Sequence, residues 1–424
     1  MSVRPIIAAI SGIAGAQLIG LIFVPLLTQL YSPETFGHVG FILAISAILL
    51  PISTLSFPVA IVLAKDETHA KQLNSLSLIT ALIVTLTTLV IILFCDWANL
   101  HLSDKSNANY LYFVPITVFF CACLQIADNW SIRQEAFSVR AKIAVTNSLL
   151  INSGKLLLGL VWATPVSLIL VTMANPILNA ILLIGSIAKN NRLSITSLFY
   201  LQYFDWRERV NEYRAFPLYN APQVFLNALS KGAPVIILGI FFGPASAGWY
   251  GLSYTVLMAP VTLISKAIGD VFYSQIAKKN NKQVLTQSLI KYTVLLAIIG
   301  IIPSGILLLW GPNLFSLFFG EQWFQAGVYA KWLALWSFFI FINAPSLKAI
   351  IILKKQKAAM VINMITMPLR LLALLAGAYF YHSQKLALLG FVVIGITHNA
   401  LIMLLAYRAC KTQHLSRFLE ASSE

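Results

Sequence analysis

Lys155, Lys231 and Arg370 each fall near the middle of a long apolar run. There a charge costs about 2.5–3.5 kcal/mol, or on the order of 8–10 kcal/mol for the three. No acidic residue is expected at their depth, because Asp128 and Asp270 both lie toward the ends of their runs. Unpaired cations in such places call for a wet cavity that an anion can enter. The chemistry this implies is electrostatic binding of a negatively charged molecule.

Helical spacing extends each cation into a polar face. Ser148, Asn152, Lys155 and Gly159 share one face, and Asn220, Gln223, Asn227, Lys231 and Pro234 share another. Asn363, Thr366, Met367 and Arg370 make a third, while Thr172, Asn175, Asn179 and Ser186 make an uncharged fourth. Polar stripes on apolar helices point toward partner helices or water, so the amides either line a cavity or hold helices together. Three further cations in apolar runs, Lys266, Lys331 and Lys348, lie close enough to run ends to snorkel, and Lys266 can pair with Asp270 four residues on. His398 lies mid-run and would suit proton coupling, although a hydrogen-bonded structural histidine is the favoured reading. Asp128 beside Asn129 offers a weak site for a coupling cation, and its nearness to Arg133 favours a solvated interfacial role.

The elements that must position these residues follow from composition. Of 424 residues, 59% are apolar and only 10% charged, with mean hydropathy +0.82. A soluble domain has roughly 45–50% apolar and about 25% charged residues, so most of this chain must face lipid. Runs of about 20 apolar residues are expected near 6–30, 36–64, 75–95, 111–129, 143–163, 165–188, 218–243, 247–271, 288–311, 327–353, 358–381 and 386–408. The fold class is therefore an all-α integral membrane protein of about twelve transmembrane helices. The first run is too long for a signal-peptide core of roughly 7–15 residues and is read as a retained helix.

The net charge of +15 would suggest nucleic acid in a soluble protein, but here its placement decides otherwise. With the N-terminus inside, 21 of the 29 Lys and Arg residues fall in cytoplasmic loops and only Lys105 and Lys385 outside. This satisfies the positive-inside rule at nearly every turn and puts both termini in the cytoplasm. No nucleic-acid partner is expected. The outside loops are short, and even the longest, about 96–110 and 311–326, are too short to fold as domains.

The polar stretch from Lys189 to Arg214 divides the chain into two six-span bundles, expected as domains 1–200 and 201–424. A repeat supports the division. Pro33-x-x-x-Gly37-x-x-Gly40 joins spans one and two, and Pro244-x-x-x-Gly248-x-x-Gly251 joins spans seven and eight, each followed by an in-span proline, Pro51 or Pro260. Both fall at outside turns, as parallel pseudo-repeats should.

No nucleotide-binding G-x-x-x-x-G-K-[ST], H-E-x-x-H or G-x-S-x-G occurs, and no paired carboxylates lie outside the membrane, so no catalytic residues are assigned. Cys95, Cys121, Cys123 and Cys410 form no C-x-x-C pair, so neither a disulfide nor a metal site is expected, and no cofactor is implied.

Several ordered motifs carry a family resemblance. They include Leu30-Tyr31-Ser32-Pro33-Glu34-x-Phe36-Gly37, Phe216-Pro217-Leu218-Tyr219-Asn220 and Pro234-Val235-Ile236-Ile237-Leu238-Gly239. Phe242-Gly243-Pro244-x-x-x-Gly248-Trp249-Tyr250, Phe318-Phe319-Gly320-Glu321-x-Trp323-x-x-Ala326-Gly327 and Leu353-Lys354-Lys355-Gln356-Lys357 continue the series. Together they resemble the polysaccharide biosynthesis, or O-antigen flippase (Wzx-type), proteins of the multidrug/oligosaccharidyl-lipid/polysaccharide (MOP) exporter superfamily. The resemblance implies two six-helix bundles around a central cavity with a cationic lumen, in a bacterial cytoplasmic (inner) membrane. It also implies a flippase moving undecaprenyl-diphosphate-linked repeat units of O-antigen, capsule or a related polysaccharide to the periplasmic leaflet by alternating access. The expected partners are the lipid-linked oligosaccharide, membrane lipid, and polysaccharide polymerase and chain-length proteins.

Two rivals remain at this point. A multidrug antiporter of the same fold would need deep carboxylates, where this chain has deep cations. A membrane polysaccharide polymerase or ligase would need a large outside loop with polar catalytic residues.

Overall fold

The computed structural model describes residues 4–98, 109–189, 206–277 and 282–421, and every regular element among them is helical. Among the described residues, twelve helical segments are long and apolar enough to cross a membrane, in the order the hydropathy pattern predicts. Lys105, Arg192, Lys278 and Lys279, and the domain boundary expected at residue 200, lie outside the described residues. The chain forms two compact units, Met1–Gly248 and Trp249–Glu424.

The first unit begins with α1 (Arg4–Leu30) and α2 (Pro33–Thr54), joined by a turn in which the Ser32 hydroxyl accepts from the Thr35 N–H and Pro33 opens the helix. The apolar run expected to continue to residue 64 breaks at Leu55 and Ser56, which take positive φ of 47° and 58°. A new helix, α3 (Phe57–Ile61), then starts with Pro58 in its first turn, where a missing N–H is harmless. α4 (Glu67–Trp97) is capped by Asp66, whose carboxylate accepts from the His69 N–H at 2.7 Å. α5 (Phe113–Arg133), α6 (Phe137–Val161) and α7 (Pro165–Lys189) follow, so Ala163-Thr164-Pro165 does divide two helices.

A short helix, α8 (Trp206–Glu212), is moored to the α3–α4 turn. Lys65 meets Glu212 at 2.8 Å, and Arg209 donates to Gln72 at 2.7 Å and to Glu212 at 2.5 Å. The hydrogen bond from Lys65 holds the Glu212 carboxyl below the usual carboxylate range, and Glu212 in turn raises the Lys65 ammonium. The mooring is therefore complete above the ordinary carboxylate pKa of about 4.3 and below the ordinary lysine pKa of about 10.4. It is lost as pH falls through the depressed Glu212 value or rises through the raised Lys65 value. Amide hydrogen exchange over 206–213, taken relative to the intrinsic rate at each pH, is expected to be unaffected by this pair from pH 5 to 9 and to quicken below pH 4. Glu212→Gln should quicken it several-fold already at pH 7.

After a π-helical turn at Phe216–Asn220, α9 (Ala221–Phe242) packs along α2. At its end comes the start of α10 (Pro244–Ala277). The two Pro-x-x-x-Gly motifs meet here reciprocally. A Cβ on Gly37 would stand 1.8 Å from the Pro244 carbonyl oxygen, and one on Gly248 would stand 1.9 Å from the Pro33 carbonyl oxygen. Only glycine allows backbones this close.

The second unit holds most of α10, then α11 (Lys282–Phe319), α12 (Phe324–Ile342), α13 (Ala344–Ile352), α14 (Gln356–Tyr379) and α15 (Gln384–Ala421). The run expected at 327–353 is two helices, broken at Asn343 before Pro345; the buried Asn343 amide donates to Asn399 at 2.9 Å. Asp270 does not pair with Lys266 on its own helix. Lys348 of α13 reaches it instead at 2.7 Å, its stem lying in the space left by Gly269.

Candidate anion-binding site

Arg370 projects from α14 and is only 9% exposed. Its guanidinium carbon lies 4.1 Å from the ring centre of Phe391 on α15 and 4.5 Å from that of Trp336 on α12. Tyr254 of α10 extends the aromatic wall, its ring 6.2 Å from Trp336, and Tyr250 stacks on Tyr254 at 5.9 Å. Four helices thus converge on one cation, and no carboxylate pairs with it among the described residues.

The donors in this cage outnumber its acceptors. Arg370 Nε and Nη2, Trp336 Nε1 and the Tyr250 hydroxyl are all buried without a hydrogen-bond partner. Each cation–π contact returns about 0.5–2 kcal/mol. Each unmet buried donor costs about 1–3 kcal/mol, and more when charged. The rings therefore do not offset the deficit by themselves, and the arrangement is complete only when an electron-rich group enters.

Gly395 on α15 makes room for the Trp336 indole beside Arg370. A Cβ there would sit 2.8 Å from Trp336 Nε1 and 3.4 Å from Arg370 Nε. Gly395→Ala is expected to displace the indole and to cost about 1–3 kcal/mol. A lower unfolding temperature with an altered near-ultraviolet circular dichroism spectrum would show it.

The other expected site residues spread over both units. Lys155 on α6 is half-buried, and its carbonyl accepts from the Tyr31 hydroxyl at 2.9 Å; no ion pair reaches its ammonium among the described residues. Lys231 on α9 is exposed and likewise without an ion pair among the described residues. Gln223, Asn227 and Lys231 form a continuous exposed stripe, with Asn220 half-buried at its start. Asn152 donates to the Ser148 carbonyl at 2.8 Å, and Ser148 donates to Ala16 on α1, so that face serves helix packing.

Asn175 accepts from Asn147 at 2.5 Å, which likewise joins α6 to α7. Asn179 is half-buried and Asn363 exposed. His398 shares a 2.7 Å hydrogen bond with Thr366, one turn from Arg370. Asp128 pairs with Arg140 at 3.0 Å, whereas Arg133 donates to the carbonyls of Ile61, Ala64 and Asp66. Lys155 and Lys231 belong to the first unit and Arg370 to the second.

The profile of the family described as "Polysaccharide biosynthesis protein" matches residues 26–328. The chain belongs to that family. No curated protein matches it by sequence. Among solved structures, this polysaccharide biosynthesis protein is similar to the lipid II flippase MurJ in an inward closed conformation, with a TM-score of 0.74 and 14% identity over 96% of this chain and 88% of that one. It is also similar to an inward-facing multidrug resistance MATE family transporter of the MOP superfamily, with a TM-score of 0.62 and 13% identity over 97% and 95%. A MOP superfamily transporter from Pyrococcus furiosus gives 0.55 and 15% identity over 97% and 95%. At these identities the likeness establishes the fold, that of the MOP transporters.

Sequence reasoning picked out Arg370 in this family member but not Trp336, Phe391, Tyr250 or Tyr254. Tyr250 and Tyr254 stand four apart on one helix face, a spacing visible in the chain. Nothing local ties them to a cation on another helix.

Proposed function

We propose that this protein is a flippase for lipid-linked oligosaccharide, carrying undecaprenyl-diphosphate-linked repeat units from the cytoplasmic to the periplasmic leaflet of a bacterial inner membrane. The observation that carries the reading is Arg370, buried in an aromatic cage whose unmet donors face no carboxylate. A diphosphate supplies the negative charge and the acceptor oxygens such a cage lacks, and the low dielectric makes the attraction strong. Family membership and the flippase-type fold support it.

In this reading Arg370 takes the diphosphate. Lys155 and Lys231 offer further positive charge to the phosphates or to acidic sugars, and Gln223, Asn227, Asn179 and Asn363 meet sugar hydroxyls. His398 and Asp128 are candidate ion-coupling groups, and the two six-span bundles, 1–200 and 201–424, alternate between cytoplasmic and periplasmic access. Both termini lie in the cytoplasm, and the polymerase and chain-length proteins act on the delivered product.

Deleting the gene in its native host is expected to remove surface polysaccharide and to accumulate the lipid-linked repeat unit, complete and still facing the cytoplasm. Normal surface polysaccharide in the deletion strain would contradict the proposal.

A further inference from the structure

A second cationic site lies at the end of the second unit where α11 turns into α12. A cavity of about 280 Å³ is lined there by Pro312, Gln325, Tyr329, Lys331, Trp332 and Lys385, with no Asp or Glu in its wall. Lys331 and Lys385 come from different helices, yet their ammonium groups stand 5.9 and 5.8 Å from the centre of the same Trp332 ring. The two charges are therefore at most about 12 Å apart, and neither has an ion-pair partner among the described residues.

Like charges held this close across a half-buried wall repel, and an anion between them reverses the sign of the energy. Gln325 and Lys385 are the second residues of α12 and α15. The Tyr329 hydroxyl donates to Gln384 at 2.7 Å, which fixes the two helix starts to one another.

Tyr379, Phe380 and Tyr381 at the close of α14 and Trp310 on α11 are exposed. Such a girdle of aromatic rings marks the level of lipid headgroups. We propose that this cavity binds a phosphoryl anion borne by a lipid headgroup, in the leaflet on the side of the α11–α12 turn. The site is separate from the Arg370 cage and does not depend on what that cage carries.

Native mass spectrometry of the full-length protein, exchanged into detergent with dioleoylphosphatidylglycerol, tests it. Wild type is expected to retain the anionic lipid in preference to dioleoylphosphatidylcholine. The Lys331→Gln, Lys385→Gln double variant should lose that retention by about tenfold, and the double arginine variant should keep it. Farnesyl diphosphate distinguishes the source: displacement of phosphatidylglycerol identifies a site open to prenyl diphosphates, and no displacement identifies one for resident phospholipid. Equal retention by the double glutamine variant, or no preference over phosphatidylcholine, overturns the proposal. Both lysines reach solvent-accessible surface, so the variants should fold, and an unchanged unfolding temperature confirms that they do.

Discussion

Replacing Arg370 by glutamine is expected to abolish glycan transport while leaving the protein inserted and at least as resistant to heat as wild type. The two halves of that result have one cause. Burying an unpaired charge is unfavourable, and neutral glutamine removes that cost together with the cation–π contacts to Trp336 and Phe391. The relieved burial cost is the larger of the two, so the unfolding temperature should match or exceed that of wild type. Transport loses the only charge in the cage and should fall by about a hundredfold or more, as loss of a buried charge pair worth roughly 3 kcal/mol implies. Arg370→Lys should recover little, because a lysine keeps the charge but not the planar fork that lies over two rings and donates along several edges. A purely structural arginine would behave in the opposite way, with stability falling and transport declining only in proportion to the protein lost.

Gly37→Ala and Gly248→Ala should be the most damaging single-methyl changes in the chain. Each new Cβ would stand less than 2 Å from a backbone carbonyl oxygen, Pro244 in one case and Pro33 in the other. Neither obstacle is the end of a flexible side chain, so the helix starts must part. Overpacking of this sort costs about 1–3 kcal/mol or more for each change. Because both glycines serve one contact, the double variant should lose much less than the sum of the singles; the first alanine has already opened the gap the second needs. Thermal unfolding of the three purified variants checks this, and full additivity would show that the two motifs act separately.

Hydropathy made the twelve spans legible because a helix in lipid must be apolar along its whole length, whatever it packs against. The breaks at Leu55–Ser56 and at Asn343 fall inside runs whose average stays apolar, so hydropathy alone passes over them although Pro58 and Pro345 stand just beyond; the backbone angles and the Asn343–Asn399 bond mark the change. Arg370 stood out in the chain because a charge in an apolar run is anomalous without any knowledge of its neighbours. Its partners did not, since helical periodicity tells which face a residue occupies and not which of eleven other helices meets it. The pairing of Asp270 with Lys348 rather than Lys266 shows the same limit, as a partner on another helix displaced the one four residues away. The Pro-x-x-x-Gly repeat was readable as a motif, and its reciprocal packing became visible only with the backbone in place.

The most direct measurement is transbilayer movement of a fluorescently labelled undecaprenyl-diphosphate oligosaccharide in proteoliposomes, followed by quenching of the label at the outer leaflet. Wild-type protein should move this lipid, leave a neutral dolichol-type glycolipid without diphosphate behind, and lose the activity on Arg370→Gln with its fold retained. Movement by the glutamine variant at the wild-type rate, or equal movement of the neutral lipid, would contradict a transport mechanism built on the buried cation.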